Sequence, residues 1–278
     1  MKRFVDIYDL ALRLWMCVVI MGLPLFISVR QSSGMSEPTR TYVVAVFAGH
    51  TAQPSNLGVK HQGAGSASGI MESCFNNDVV RLIERTSDSR LIFKTYLAVS
   101  NIILQKRPGI AEQIKASAII EIHHDSVQPE IYSHLLKSKS GDPMRLYYRG
   151  FSLHVYPNEG SIRLAKAIES AMISLGLIWS EYHTEDIPGE RMKLVPGTKA
   201  VYERPNLFIL RSATVPAVII ECGCIANPEE EELLKTVEYR SKLVQGIRQG
   251  VLSFLESNSM AIHGEKRRRI LSRSDVKR

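Results

Sequence analysis

From residue 41 onward the chain alternates between two hydrophobic periods. Short runs rich in β-branched and apolar residues, Thr41–Ala48 (TYVVAVFA), Arg90–Tyr96, Ala118–His123 and Ala217–Cys222, read as largely buried strands. Gly150–Tyr156 (GFSLHVY) alternates apolar and polar positions and predicts one more. Between them the period lengthens. Phe75, Val79, Val80, Leu82 and Ile83 fall at helical spacing over Glu72–Arg85, and Ile162, Ala165, Ile168 and Ile173 mark one side of a helix over Glu159–Leu175. Ser100–Lys115 reads as a helix disturbed by Pro108, and Pro228–Glu256 as one closing helix through Leu233, Leu243, Ile247, Val251 and Leu255. Thr51–Gly69 has no period and reads as a loop; Asp125–Arg149 is a long polar connection in which Tyr132, Leu135 and Leu136 hint at a short helix. Strands alternating with helices predict an α/β fold, a single domain over residues 41–257 with a mostly parallel twisted sheet and helices on both faces.

The two ends follow neither period. Lys2 and Arg3 precede an apolar run from Leu14 to Val29, shorter than the roughly 20 residues of a membrane span and close to a signal-peptide core. Residues 1–40 are therefore expected to be a signal or anchor segment with a linker. It would export the chain to the periplasm or cell envelope, with residues 10–29 either cleaved or kept as an inner-membrane anchor. Residues 258–278 lack apolar periodicity and are expected to form a basic, disordered tail. The tail also accounts for most of the charge. The chain carries a formal +7, and Glu265–Arg278 holds seven Lys and Arg against two acids, leaving the body nearly neutral. Basic charge on a tail without interleaved aromatics argues against nucleic-acid binding. With 45% hydrophobic residues and four cysteines, both wholesale disorder and a disulfide-built scaffold are excluded. Cys74, Cys222 and Cys224 are expected to be buried as small hydrophobic residues.

Ligands of open α/β sheets gather beyond the carboxyl ends of the strands. His50 follows the first strand, His123 ends the third, the last carries Glu221, and Glu72 opens the helix after the glycine-rich loop. Two imidazoles and one carboxylate form a familiar Zn²⁺ ligand set that leaves a position for water, and a second glutamate off the metal could then move protons. Any one of these histidines is equally at home as an ordinary hydrogen-bonded residue. Their order is more specific than their identity.

That order, with its flanking residues, resembles the zinc-dependent N-acetylmuramoyl-L-alanine amidases of the Amidase_3 type. Val215–Asn227 (VPAVIIECGCIAN) is similar to the family's Pro-Ala-hydrophobic-Glu-x-Gly-Phe-hydrophobic-Ser-Asn segment, and PEEEELL continues it. Leu207–Arg211 (LFILR) matches the stretch before it, and Ile120–Ser126 (IIEIHHDS) is similar to Ser-Ile-His-Ala-Asn. Gly49-His50 and Gly69-Ile-Met-Glu72 match the Gly-His and Gly-x-x-Glu at the first strand and helix. The resemblance covers about residues 42 to 255. It implies that His50, Glu72 and His123 hold Zn²⁺ and that Glu221 is the catalytic acid–base. The substrate it implies is peptidoglycan, cut between N-acetylmuramic acid and L-alanine, and a protein activator is a partner to expect. The departures are Phe47-Ala48 for Asp-Pro, Thr51 for Gly, Cys224 for Phe, and a longer His50–Glu72 stretch containing His61, a loop residue or an alternative ligand. Two other readings use the same residues: a zinc carboxypeptidase or amidohydrolase on a related fold, and a non-catalytic peptidoglycan-binding module. Arg204 and Arg211 are the nearest candidates to meet stem-peptide carboxylates. The Asp125–Arg149 connection, directly after His123, is either a lid or a plain surface insertion.

Overall fold

The computed structural model describes residues 40–51, 62–186 and 191–275, with side chains as far as Met260. The expected signal or anchor segment, apart from Arg40, and His61 lie outside the described residues. Among the described residues no helix is long and apolar enough to cross a membrane.

Among the described residues seven strands form one sheet: β1 (Tyr42–Ala48), β2 (Leu91–Tyr96), β3 (Ala118–Asp125), β4 (Ser152–Val155), β5 (Lys193–Leu194), β6 (Val201–Glu203) and β7 (Ala217–Cys224). Their order is β2-β1-β3-β7-β4-β6-β5. The pairs β1–β2, β1–β3, β3–β7 and β4–β6 are parallel, while β4 runs antiparallel to β7 and β5 to β6. The helices are α1 (Glu72–Glu84), α2 (Arg107–Gln113), α3 (Pro129–Ser138), α4 (Pro143–Leu146), α5 (Glu159–Ser174), α6 (Phe208–Ser212), α7 (Pro228–Lys235) and α8 (Val237–Asp275).

The period of two along the strands decides which face each residue serves. Val44, Val46, Ile120, Ile122, Val218 and Ile220 are buried in one core under α1, α5 and α8. Ala45, Phe47, Ile119, Ala217 and Ile219 face the opposite way, into a smaller core with Ala111 of α2 and Ile209 and Leu210 of α6. Helices thus cover both faces, as expected, but unequally. Among the described residues the second face is covered by a seven-residue and a five-residue helix, with Leu104 of a 3₁₀ turn beside them. The odd-numbered positions Glu121 and His123 on β3 and Glu221 on β7 belong to that thinly covered face.

Four expectations are corrected. The helix over Ser100–Lys115 is a 3₁₀ turn at Leu104–Lys106 followed by α2, with Pro108 in its first turn, where the missing N–H costs nothing. The closing helix is two helices. Thr236 is extended, and its hydroxyl accepts from the Tyr239 N–H as an N-cap of α8. The stretch from residue 258, expected to be disordered, continues α8 to Asp275, because Ala, Glu, Lys, Arg and Leu propagate a helix already nucleated by its packed turns. Cys74 is exposed, whereas Cys222 and Cys224 are buried as expected. The short elements β5, β6 and α6 carry too few residues to show a period.

The Asp125–Arg149 connection folds into α3 and α4 with a small core of its own, Ile131 and Leu135 against Tyr148, Tyr182 and Cys224. Asn227 ties it down by donating its amide to the carbonyls of Met144 and Tyr148. The same side chain caps α7 by accepting from Glu229 and Glu230 N–H groups.

Candidate metal centre and its cavity

β1 delivers His50 through Gly49, and His50 itself sits in the left-handed region at φ 63°. That conformation is unfavourable for a residue with a side chain and persists where its surroundings enforce it. Two bonds do so: the Gly49 N–H donates to the Ile122 carbonyl at 2.7 Å, and Arg107 Nη2 donates to the His50 carbonyl at 3.0 Å. Gly49 has a second reason to be glycine. A Cβ there would lie 2.4 Å from the His123 ring, and one at Gly63 would lie 2.4 Å from Glu72 Oε2.

Glu72, buried in the first turn of α1, bridges the two imidazoles. Its Oε2 is 2.8 Å from His50 Nε2 and its Oε1 is 3.0 Å from His123 Nδ1. The two rings meet edge-on with centroids 4.8 Å apart. Backbone N–H groups of Ala64 and His124 and the Asn76 amide also donate to the Glu72 carboxylate. Burial alone would raise this carboxyl; the bonds from His123 and His50 outweigh it and hold it well below the usual carboxylate range. One donor atom from each of His50, Glu72 and His123 lies within 4.8 Å of the others, an arrangement that can close on a divalent ion. Two imidazole nitrogens, an ionised carboxylate and glycines that leave the space clear fit a zinc-like cation.

Around the triad stand residues to which the sequence reading gave no role. Glu121, buried in β3, pairs with the buried Arg107 and lies 3.6 Å from His123 Nε2. Burial pushes this carboxyl up, but His123 and Arg107 bring it below its ordinary value. A charged residue inside the apolar run IIEIH was the available signal: buried carboxylates need partners. Glu221 is the register partner of His123 on β7. Its Oε2 is buried without a hydrogen-bond partner among the described residues. Burial raises this carboxyl well above the normal range, with His123 pulling the other way. It is a group that holds a proton readily.

These side chains open into a cavity of about 910 Å³. Arg204 lines it; Arg211, exposed on α6, does not. A further polar cluster stands on the β4 side, where His154, His183 and Asp125 line the cavity and Ser152 is buried behind them. Ser152 Oγ lies 3.2 Å from His154 Nε2 and 3.3 Å from His183 Nε2, and His183 Nε2 is 3.1 Å from Asp125 Oδ2. The sequence reading gave none of these four a role: Ser152 and His154 were read only as part of a strand, Asp125 as the start of a connection, and His183 comes from a stretch without a period.

The family described as N-acetylmuramoyl-L-alanine amidase, Amidase_3, matches residues 44–253. Over 66 residues the chain is 38% identical to the N-acetylmuramoyl-L-alanine amidase AmiA of Escherichia coli, covering 23% of each protein. Over 158 residues it is 22% identical to the N-acetylmuramoyl-L-alanine amidase Rv3717 of Mycobacterium tuberculosis, covering 57% of this chain and 56% of that one. The chain thus spans about a quarter of AmiA and a little over half of Rv3717. Among solved structures, the amidase Ami1 of Mycobacterium smegmatis superposes with a TM-score of 0.59 at 21% identity, covering 79% of this chain and 99% of that one. The N-acetylmuramoyl-L-alanine amidase of Clostridium difficile 630 gives 0.58 at 21%, covering 78% and 98%. These structural likenesses concern the fold. With a family match over most of the folded part, and a Gly-His, helix-borne Glu, strand-borne His and strand-borne Glu in the family's order around one sheet, the chain belongs to the Amidase_3 family of N-acetylmuramoyl-L-alanine amidases.

Proposed function

We propose that this protein hydrolyses the amide bond between N-acetylmuramic acid and L-alanine in peptidoglycan, as an exported enzyme of the cell envelope. His50, Glu72 and His123 would hold Zn²⁺, and Glu221 would be the acid–base. The observation that carries the reading is Glu221, in register beside His123, with its Oε2 buried and without a hydrogen-bond partner among the described residues, on the wall of the cavity that His50 and His123 also line. Zinc, when bound, supplies a Lewis acid that polarises the scissile carbonyl and acidifies water near neutral pH. The chain's own residues do the rest. Glu72 stays ionised between two imidazoles, and Glu121, held by Arg107, faces the far nitrogen of His123 and fixes its ring, as outer carboxylates do for ligand histidines. Glu221 takes a proton from the attacking water and returns it to the departing amine nitrogen. A carboxyl raised by burial suits both steps, since it keeps the proton between them.

The test is digestion of purified sacculi by the wild type and by Glu221→Gln, each with and without a chelator, with product analysis. The expected outcome is free stem peptides and intact glycan from the wild type. Chelation should abolish release, and Glu221→Gln should slow it by about 10²–10⁴-fold. Terminal D-alanine as the sole product would instead make the protein a carboxypeptidase. Tight binding to sacculi with no product would make it a wall-binding module.

A further inference from the structure

Helix α8 lines no part of the cavity, and its sequence changes character where the body ends. Val244, Ile247, Val251 and Leu255 recur three or four positions apart and are buried in the main core. Leu255 is the last α8 residue in that core among the described residues. The helix does not stop there. It runs on to Asp275, a further length of about 30 Å.

Carried past Leu255 at the same spacing, the stripe passes Ser259 and takes in Ile262, Lys266, Arg269, Ile270 and Arg273. The side of the helix that is apolar along the body thus becomes cationic beyond it. Cations bury against apolar neighbours only at a large cost, so this stretch of the stripe is not built to pack on a hydrophobic core. Arg267 and Arg268 add charge on the other sides, and Glu265 and Asp275 are the only acids from 265 to the end. The rest of the chain is nearly neutral and holds no excess of negative charge to match. The partner that fits is an anionic surface from outside the chain.

The two isoleucines decide which kind. A soluble polyanion would meet the cations but give Ile262 and Ile270 nothing to bury against. The headgroup layer of a bilayer serves both, with phosphates for the guanidinium forks and acyl chains just beneath. Two isoleucines are too few to bind by an apolar face alone, so charge supplies most of the attraction. The other end of the chain agrees with this. Its apolar run from Leu14 to Val29 falls short of the roughly 20 residues of a span, and a weak apolar anchor becomes stable when a basic patch is joined to it. We infer that residues 262–273 of α8 are a docking surface for a bilayer bearing anionic phospholipid headgroups, with Lys266, Arg269 and Arg273 as its contact charges. The inference does not depend on the amidase reading.

Flotation of the full chain with lipid vesicles provides the test. One set of vesicles is phosphatidylcholine alone; the other is equal parts of phosphatidylcholine and phosphatidylglycerol. The apolar run contributes to both sets, so the difference between them reads the charge. At about 0.1 M salt the wild type is expected to partition at least about 100-fold more strongly to the anionic set. Most of that preference should vanish at about 1 M, where the screening length falls to about 3 Å. Arg269→Gln/Arg273→Gln should lose about 25-fold on the anionic vesicles, roughly fivefold for each cation, and nothing on the neutral ones. Arg267→Gln/Arg268→Gln removes the same charge from other sides of the helix and should lose less than about fivefold. Arg269→Lys/Arg273→Lys keeps the charge and should bind as the wild type does; a loss there would mean that charge is not what holds the contact. Equal uptake by the two sets of vesicles, or equal losses from the two Gln variants, overturns the surface. Binding to lipid-free sacculi that Arg269→Gln/Arg273→Gln loses, with vesicle binding untouched, also overturns it and assigns the helix to the wall polymer.

Discussion

Single atoms decide whether the metal centre can form. A methyl group at position 49 would overlap the His123 ring at 2.4 Å, and the obstacle is a ring anchored on a central strand, not a flexible side-chain end. Gly49→Ala is thus expected to fold, as judged by circular dichroism, yet to bind zinc at least about 10-fold more weakly in a calorimetric titration, the low end of what misplacing a ligand costs. Unchanged affinity would show that the ring can yield. His50 and Glu72 were legible by position, just past the end of β1 and at the start of α1; His123 and Glu221 lie within β3 and β7 and were legible through the order the four share. The pairing of Arg107 with Glu121 was not, since nothing in a linear sequence tells that a basic residue after one turn will reach a carboxylate fourteen positions on, inside a strand. Cys74 is a smaller instance. Its neighbours Ser73 and Phe75 are buried, but on α1 its own position faces out.

At the scale of elements, α7 does more than close the sheet. Glu231 accepts from the Ser66 hydroxyl at 2.7 Å and the Ser68 N–H at 2.9 Å, tying down the loop that leads into Glu72. Burial pushes this carboxyl up, but the Ser66, Ser68 and Lys235 bonds prevail and lower it from 4.5 to about 2. A carboxyl depressed in the folded state contributes stability above its unfolded value and loses it as the pH falls through the folded one. Glu231→Gln is therefore expected to be less stable at pH 7, on the order of 3 kcal/mol by urea denaturation. The gap between variant and wild type should close as the pH drops from about 4.5 to about 2. Its neighbour Glu230 has the opposite sign: burial raises it to about 7 despite N–H bonds from Gly150 and Cys224, so its contribution is full below 4.5 and lost as the pH rises through about 7. The run PEEEELL predicted a helix in sequence; it gave no hint that two adjacent glutamates would hold two different loops. Nor did the pattern show the break at Thr236, where neither Gly nor Pro stands to mark it.

For the whole molecule, metal and fold are linked. The three donors come from the end of β1, the start of α1 and the middle of the sheet, so an ion bound to all of them binds only the folded chain. Zinc at about 1,000 times its dissociation constant should stabilise the fold by roughly 4 kcal/mol, seen as a rise in Tm that a chelator reverses and that His50→Ala abolishes. A Tm indifferent to zinc would mean that the donors do not converge in solution. The sequence by itself determined the alternating architecture and the family's order of His, Glu, His and Glu. Those depend on local period and on chain direction, which a linear pattern carries. Only the tertiary structure decided that β4 turns antiparallel beside β7, which sets Ser152 and His154 next to Glu221, and that Arg204 and His183 share one wall of the cavity. Such neighbours are far apart along the chain, and their meeting is fixed by strand order and packing, which no local period encodes.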